Sequence, residues 1–172
     1  MSSKLEAKIR DVPDFPEPGI VFKDIMPLLA DAATFHEAVE ELAAWIEPRK
    51  PDVIVGAEAR GFILGAALAY KLGCGFAAAR RPGKLPWKTV SASYALEYGE
   101  NSLELHVDAI PSGARVLVHD DLLATGGTAA AICDLVEQLG GEIVGLAFVI
   151  ELTFLEGRKH LERYDVHSLI TY

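Results

Sequence analysis

Cysteine is scarce in this chain: Cys74 and Cys133 are the only two among 172 residues. Two thiols make neither a disulfide framework nor a cysteine-based metal site, so both are expected to be reduced and packed, Cys133 within an Ala-rich helix. Long apolar runs are missing as well, and nothing approaches the ~20 residues that a membrane span needs. The first residues, Met1-Ser2-Ser3-Lys4-Leu5-Glu6, carry no apolar signal region, which points to a cytoplasmic protein. Positive charge is in deficit. Lys and Arg number 16 against 25 Asp and Glu, a formal net charge of -9. That field opposes bulk binding of nucleic acid or of an anionic membrane. A small anionic ligand would therefore need a local cationic cluster. His36, His106, His160 and His167 have no metal-ligand spacing and are expected to be structural.

What is present is an ordinary globular composition, 51% hydrophobic and 24% charged, in a length that suits one domain over residues 1–172. Apolar residues recur at helical spacing at Phe35, Ala38, Val39, Leu42, Ala43 and Ile46, which predicts a helix over 34–47 ended by Pro48 and Pro51. A short leading helix is expected at 5–9 and an extended, Pro-rich loop at 11–19. Short buried strands are expected at 53–55, 76–79, 102–107, 115–119, 143–150 and 166–170. Helices are expected at 62–72, 126–139 and 154–161. Strands alternating with helices predict an α/β fold with a mainly parallel sheet flanked by helices, and such sheets bind ligands at the C-terminal ends of their strands. Residues 80–100 mix Arg, Lys, Pro, Gly, Ser and Tyr with little core pattern, and are expected to leave the core as a flexible lid.

One run concentrates the chemistry: Val116-Leu117-Val118-His119-Asp120-Asp121-Leu122-Leu123-Ala124-Thr125-Gly126-Gly127-Thr128. A hydrophobic strand meets two carboxylates, then a loop of small residues, then a helix. The loop and helix N-terminus offer backbone N–H groups and a positive dipole end to a phosphate. The lysine and spacing of a nucleoside-triphosphate loop are absent, so a terminal monophosphate fits better. Carboxylates beside a phosphate need something between them. Ribose 2′- and 3′-hydroxyls would satisfy them by donating hydrogen bonds, and Mg²⁺ is the other way to reconcile the charges. A helix N-cap with an exposed neighbour is the plain structural alternative.

The 120–128 run resembles the phosphoribosyl pyrophosphate signature of the type I phosphoribosyltransferases. Four further segments, in order, resemble the adenine-using branch of that family. They are Asp14-Phe15-Pro16-Glu17-Pro18-Gly19-Ile20-Val21-Phe22-Lys23-Asp24-Ile25, Glu58-Ala59-Arg60-Gly61-Phe62, Arg80-Arg81-Pro82-Gly83-Lys84-Leu85-Pro86 and Tyr94-Ala95-Leu96-Glu97-Tyr98-Gly99. The resemblance implies a single-domain type I phosphoribosyltransferase fold with a base-binding hood over 11–30 and a lid over 80–100. It implies the reaction of adenine with phosphoribosyl pyrophosphate to give AMP and pyrophosphate in purine salvage. Mg²⁺ would be held mainly by the donor and water rather than by direct protein ligands, and a homodimer is implied, with a basic residue near Arg80 reaching the neighbouring subunit.

The same resemblance assigns roles. Asp120, Asp121, Ala124, Thr125, Gly126, Gly127 and Thr128 would bind the ribose 5-phosphate. Glu58, Ala59, Arg60, Arg80 and Lys84 would bind pyrophosphate, with a non-proline cis peptide at Glu58-Ala59. Phe22 would stack on adenine between Val21 and Lys23, whose backbone groups read the purine edge. Glu97 would be the acid/base group for the adenine proton, and Arg60 the catalytic cation. Arg81 and Lys88 add further positive charge. His119, where the family usually has an aliphatic residue, and Trp87, in the lid, are departures without an assigned role. A related enzyme using another base, and a regulator that senses the donor without catalysis, are the competing readings.

Overall fold

The computed structural model describes residues 2–96 and 99–172. Five strands make one fully parallel sheet: β3 (Val53–Ala57), β4 (Gly75–Ala79), β7 (Arg115–Leu123), β8 (Glu142–Glu151) and β9 (Val166–Thr171), in the order β4-β3-β7-β8-β9. Two antiparallel ribbons stand outside it, β1 (Arg10–Pro13) with β2 (Val21–Asp24) and β5 (Thr89–Leu96) with β6 (Gly99–His106). The helices are α1 (Ser2–Glu6), α2 (Met26–Ala30), α3 (Ala32–Ile46), α4 (Gly61–Leu72) and α5 (Gly127–Gln138).

Alternation along the strands divides the core in two. Val53, Val55, Val116 and Val118 pack with α5 and the β5–β6 ribbon on one face of the sheet. Ile54, Leu117, Ala147 and Val149 pack with α3 and α4 on the other. A period of two residues is what places neighbours in a strand on opposite faces. β3 leads through α4 outward to β4, whereas β7 leads through α5 the opposite way to β8. The chain therefore winds in both directions from the β3–β7 pair. That is a topological switch point, and the loops after the two strands open a crevice there.

Several expected elements differ in the structure. α3 begins two residues before the expected start because Asp31 caps it, its Oδ1 accepting the N–H of Ala33 at 3.0 Å and of Thr34 at 3.1 Å. The leading helix is Ser2–Glu6 and not 5–9, with Leu5 fully buried beneath it. The expected loop at 11–19 is partly strand: Val12 faces Phe22 across the β1–β2 ladder, and only the Pro-rich tip, with a cis Phe15-Pro16 bond, is irregular. The prolines of the tip lie where no ladder N–H is required. Residues 89–96, within the expected lid, pair with 99–106 as an antiparallel ribbon, and the strand expected at 102–107 belongs to that ribbon and not to the parallel sheet. Ala92, Leu103 and Leu105 supply its apolar face. The expected helix at 154–161 is two 3₁₀ turns, Thr153–Leu155 and Gly157–Leu161, interrupted by Glu156 at φ 54°.

Candidate active site

The crevice between β3 and β7 gathers most of the residues expected to carry chemistry. β7 extends to Leu123, four residues beyond the expected strand, and so carries both carboxylates. The two diverge. Asp121 is only 3% exposed and accepts a hydrogen bond from Arg60 Nε at 2.5 Å. Asp120 is half-buried, lines the recess at the strand end, and accepts the N–H of Asp121 at 2.8 Å on its Oδ1. Burial, followed by the adjacent Asp121 charge, holds the Asp120 carboxyl well above the ordinary carboxylate range.

Arg60 sits in the turn between β3 and α4, which brings it to the switch point. Its guanidinium carbon lies 4.8 Å from the centroid of the Phe22 ring, and that ring meets Phe15 edge-on at 5.2 Å. One arginine thus joins the carboxylate pair to the β1–β2 ribbon. The guanidinium has five N–H donors; Asp121 takes the one on Nε, and among the described residues the Nη groups have no hydrogen-bond partner, so the fork is open to a ligand.

Residues 124–126 form the β7–α5 loop, and Gly127 and Thr128 open α5. Gly126 stands at the N-terminus of α5 with φ 88°, a left-handed conformation that favours glycine, and among the described residues no side chain caps the helix. The first N–H groups of α5 therefore face outward without an internal partner. Asp120, Ala124, Thr125, Gly126 and Thr128 line a recess of about 60 Å³ against them. Thr128 Oγ1 donates to the Tyr94 hydroxyl at 3.2 Å, so strand β5 touches this loop directly.

The 58–60 turn holds the cis Glu58-Ala59 bond. The Glu58 carboxylate accepts Arg80 Nη2 at 2.8 Å and the Arg81 N–H at 2.9 Å. Those hydrogen bonds hold its carboxyl below the usual range against the opposing effect of burial. Arg80 Nη1 reaches the carbonyl of Lys84 at 3.1 Å, whereas buried Arg80 Nε has no partner among the described residues. Glu58, Ala59, Arg60 and Arg80 are thus together at one strand end, and Lys84 joins through its backbone.

The three residues expected to bind the base do not share a face. Val21 and Lys23 line a cavity of about 570 Å³ together with Leu152 and Tyr172, and Phe22 turns to Arg60. Lys23 Nζ is held by Asp11 at 2.7 Å and lies 3.8 Å from the Tyr172 ring centroid. Among the described residues the outer edge of β2 has no strand partner, so alternate backbone N–H and C=O groups there are open to a ligand's polar edge. Glu97 lies outside the described residues. Sequence reasoning missed Tyr94, which was quoted without a role, and Gly157, which packs on the 124–128 loop. The signal for Gly157 was a glycine in the middle of an expected helix.

His119 is fully buried with Nδ1 2.8 Å from the Ala147 carbonyl and Nε2 unpartnered among the described residues. Burial is the leading cause that brings its pKa down to about 4. The unfolded chain, near 6.5, takes up the proton first. The fold is therefore unpenalised above pH 6.5 and loses stability as pH falls from there toward 4. His119→Val is expected to remove about 2–3 kcal/mol of the acid sensitivity between pH 7 and pH 4.5. Urea denaturation of both proteins at the two pH values measures it, and identical pH dependence would refute the assignment.

Residues 29–170 match the phosphoribosyl transferase domain family. An adenine phosphoribosyltransferase from Thermotoga maritima is 57% identical over 98% of this chain and 99% of its own length. The crystal structure of adenine phosphoribosyltransferase from Thermoanaerobacter pseudethanolicus superposes with a TM-score of 0.98 at 53% identity, covering 100% of both chains. The Saccharomyces cerevisiae enzyme, solved in complex with an imino-altritol bisphosphate and adenine, has a TM-score of 0.94 at 40% identity, covering 98% of this chain and 97% of its own. The chain belongs to the phosphoribosyltransferase family and, within it, to the adenine phosphoribosyltransferases.

Proposed function

We propose that the β3–β7 crevice transfers the 5-phosphoribosyl group of phosphoribosyl pyrophosphate to N9 of adenine, releasing pyrophosphate and leaving AMP. The observation that carries this reading is the placement at one strand end of an uncapped helix N-terminus, a carboxylate pair and an arginine with a free fork. The 5′-phosphate takes the recess of residues 124–128, where backbone N–H groups and the Thr125 and Thr128 hydroxyls meet it. Asp120 and Asp121 accept the ribose hydroxyls. As C1′ separates from pyrophosphate, positive charge spreads over the ribose ring beside those carboxylates, and negative charge grows on the leaving group. Arg60, Arg80, Lys84 and the backbone at Glu58 and Ala59 receive that leaving charge. Little covalent chemistry is needed: the rate comes from positioning and from dipoles and charges fixed in advance. Glu97 takes the proton from adenine as N9 reacts.

The residues fit a Mg²⁺ ion carried by the donor. Asp121 is hydrogen-bonded to Arg60, which leaves it less free to coordinate an ion directly. A bound ion would supply charge neutralisation at the pyrophosphate, and Asp120, which lines the strand-end recess, would be the residue to help hold it. We read the enzyme as cytoplasmic and homodimeric, with the basic 80–84 segment of one protomer reaching toward the other's pyrophosphate. No helix among the described residues is long and apolar enough to cross a membrane.

Purified protein incubated with the donor, Mg²⁺ and either adenine, hypoxanthine, guanine or orotate tests the reaction. AMP and pyrophosphate are expected with adenine alone. Product with another base instead, or no pyrophosphate with any base, would overturn it. Phe22 tests the base site: Phe22→Ala is expected to raise the KM for adenine about tenfold and the KM for the donor less than twofold, the scale of one lost stacking contact. Equal losses for both substrates in steady-state kinetics would remove Phe22 from base recognition.

A further inference from the structure

Arg158 and Glu151, neither of which lines the recess at residues 124–128, form a two-pronged ion pair. Arg158 Nε and Nη2 donate to Glu151 Oε1 and Oε2 at 2.7 and 2.8 Å. Ser168 on β9 donates to the same Oε2 at 2.8 Å, and Arg158 Nη1 reaches the Val166 carbonyl at 3.1 Å. Glu151 is only 4% exposed and ends β8, in register with Leu123 at the end of β7. Every polar atom of the carboxylate thus has a partner, which is the arrangement a buried charge requires. What the pair holds is the 3₁₀ turn Gly157–Leu161, pinned at its other end by Leu161 in the core.

That turn touches the 124–128 loop backbone to backbone. A β-carbon on Gly157 would overlap the carbonyl oxygen of Ala124, and one on Gly126 would overlap the carbonyl oxygen of Gly157. A loop of small residues has no side-chain packing of its own to define its shape, and a 3₁₀ turn of five residues is weak alone. We infer that the Glu151–Arg158 clamp acts through Gly157 as a positioning device that holds the backbone of residues 124–128 in its anion-binding shape. It thereby sets affinity for the phosphoribosyl donor without touching the base. The inference rests on the reading of that loop as the 5′-phosphate cradle.

Arg158→Lys keeps the charge and loses the fork, and Glu151→Gln keeps an acceptor and loses the charge. In each, the KM for phosphoribosyl pyrophosphate is expected to rise about tenfold, since small misplacement of a binding group costs this much or more. AMP binding by calorimetry should weaken in proportion. The KM for adenine should change less than twofold and the melting temperature by only a few degrees. The double variant should be no worse than the poorer single one, because the two residues act as a unit. Thr125→Val and Thr128→Val in the same assay separate the two levels of the argument. If they raise the donor KM and the clamp variants do not, the clamp has no positioning role. If none of the four does, the cradle reading itself fails. Equal losses in both substrates, or unfolding of both clamp variants, would make the pair a stability element and overturn the inference.

Discussion

Arg60→Ala is expected to lower kcat/KM for AMP formation by about 10³-fold. Three losses combine in that number. The first is the fork proposed to meet the leaving pyrophosphate, and removal of one donor aimed at developing charge costs about 10²–10³. The second is the partner of Asp121, a carboxylate only 3% exposed. With no cation beside it, that carboxylate is no longer held ready to receive the ribose hydroxyls. The third is the contact under the Phe22 ring, worth about 0.5–1 kcal/mol at a half-open site. Arg60 side-chain exposure is 38%, so water replaces part of the ion pair and the stability cost is expected below the ~3–5 kcal/mol of broken buried pairs, at about 2–3 kcal/mol. Arg60→Lys restores the charge but not the planar fork and should recover no more than about tenfold of the lost rate. Steady-state kinetics with denaturant titration separates the two effects. An alanine variant within tenfold of the parent would show that Arg60 is a structural anchor for Asp121 and not part of the transfer.

Glu97→Gln is expected to lower kcat about 10²–10³-fold, within the contribution of a single acid/base group, and to change either KM less than threefold. A step lost from kcat with KM unchanged is an interaction made in the transition state and not in the ground state. Glu97 lies outside the described residues, so the prediction stands on its chain position, three residues beyond Tyr94, whose hydroxyl accepts a hydrogen bond from Thr128 of the phosphate loop. That contact brings β5 to the recess proposed to take the 5′-phosphate. If the variant keeps its kcat, the adenine proton leaves by another route, directly to water or to a phosphate oxygen of the donor.

How much of this was legible in the sequence follows from the range of each signal. The strand, carboxylate pair, loop and helix spanning 115–139 could be read from order alone, because each cue lies within a few residues of the next. The capped, amphipathic α3 was legible for the same reason, apart from a start that depended on the Asp31 side chain. The Arg60–Asp121 pair was not, because it joins residues 61 apart and only the shared β3–β7 edge brings them together. The β1–β2 ribbon was hidden by its prolines, which mark a hairpin tip here and not a long loop. The 154–161 segment was misread as a helix because composition favoured one. Backbone contact at Gly157 imposes a tight turn there instead. Local pattern located the chemistry, and long-range packing decided which side chains meet.

The most direct test of the account is a crystal structure with AMP bound. The account places the 5′-phosphate in the recess of residues 124–128, with backbone N–H groups of the loop at ~2.7–3.1 Å from its oxygens. It places the 2′- and 3′-hydroxyls on Asp120 and Asp121 and the purine against Phe22. A phosphate bound outside that recess, or ribose hydroxyls that touch neither carboxylate, would contradict it.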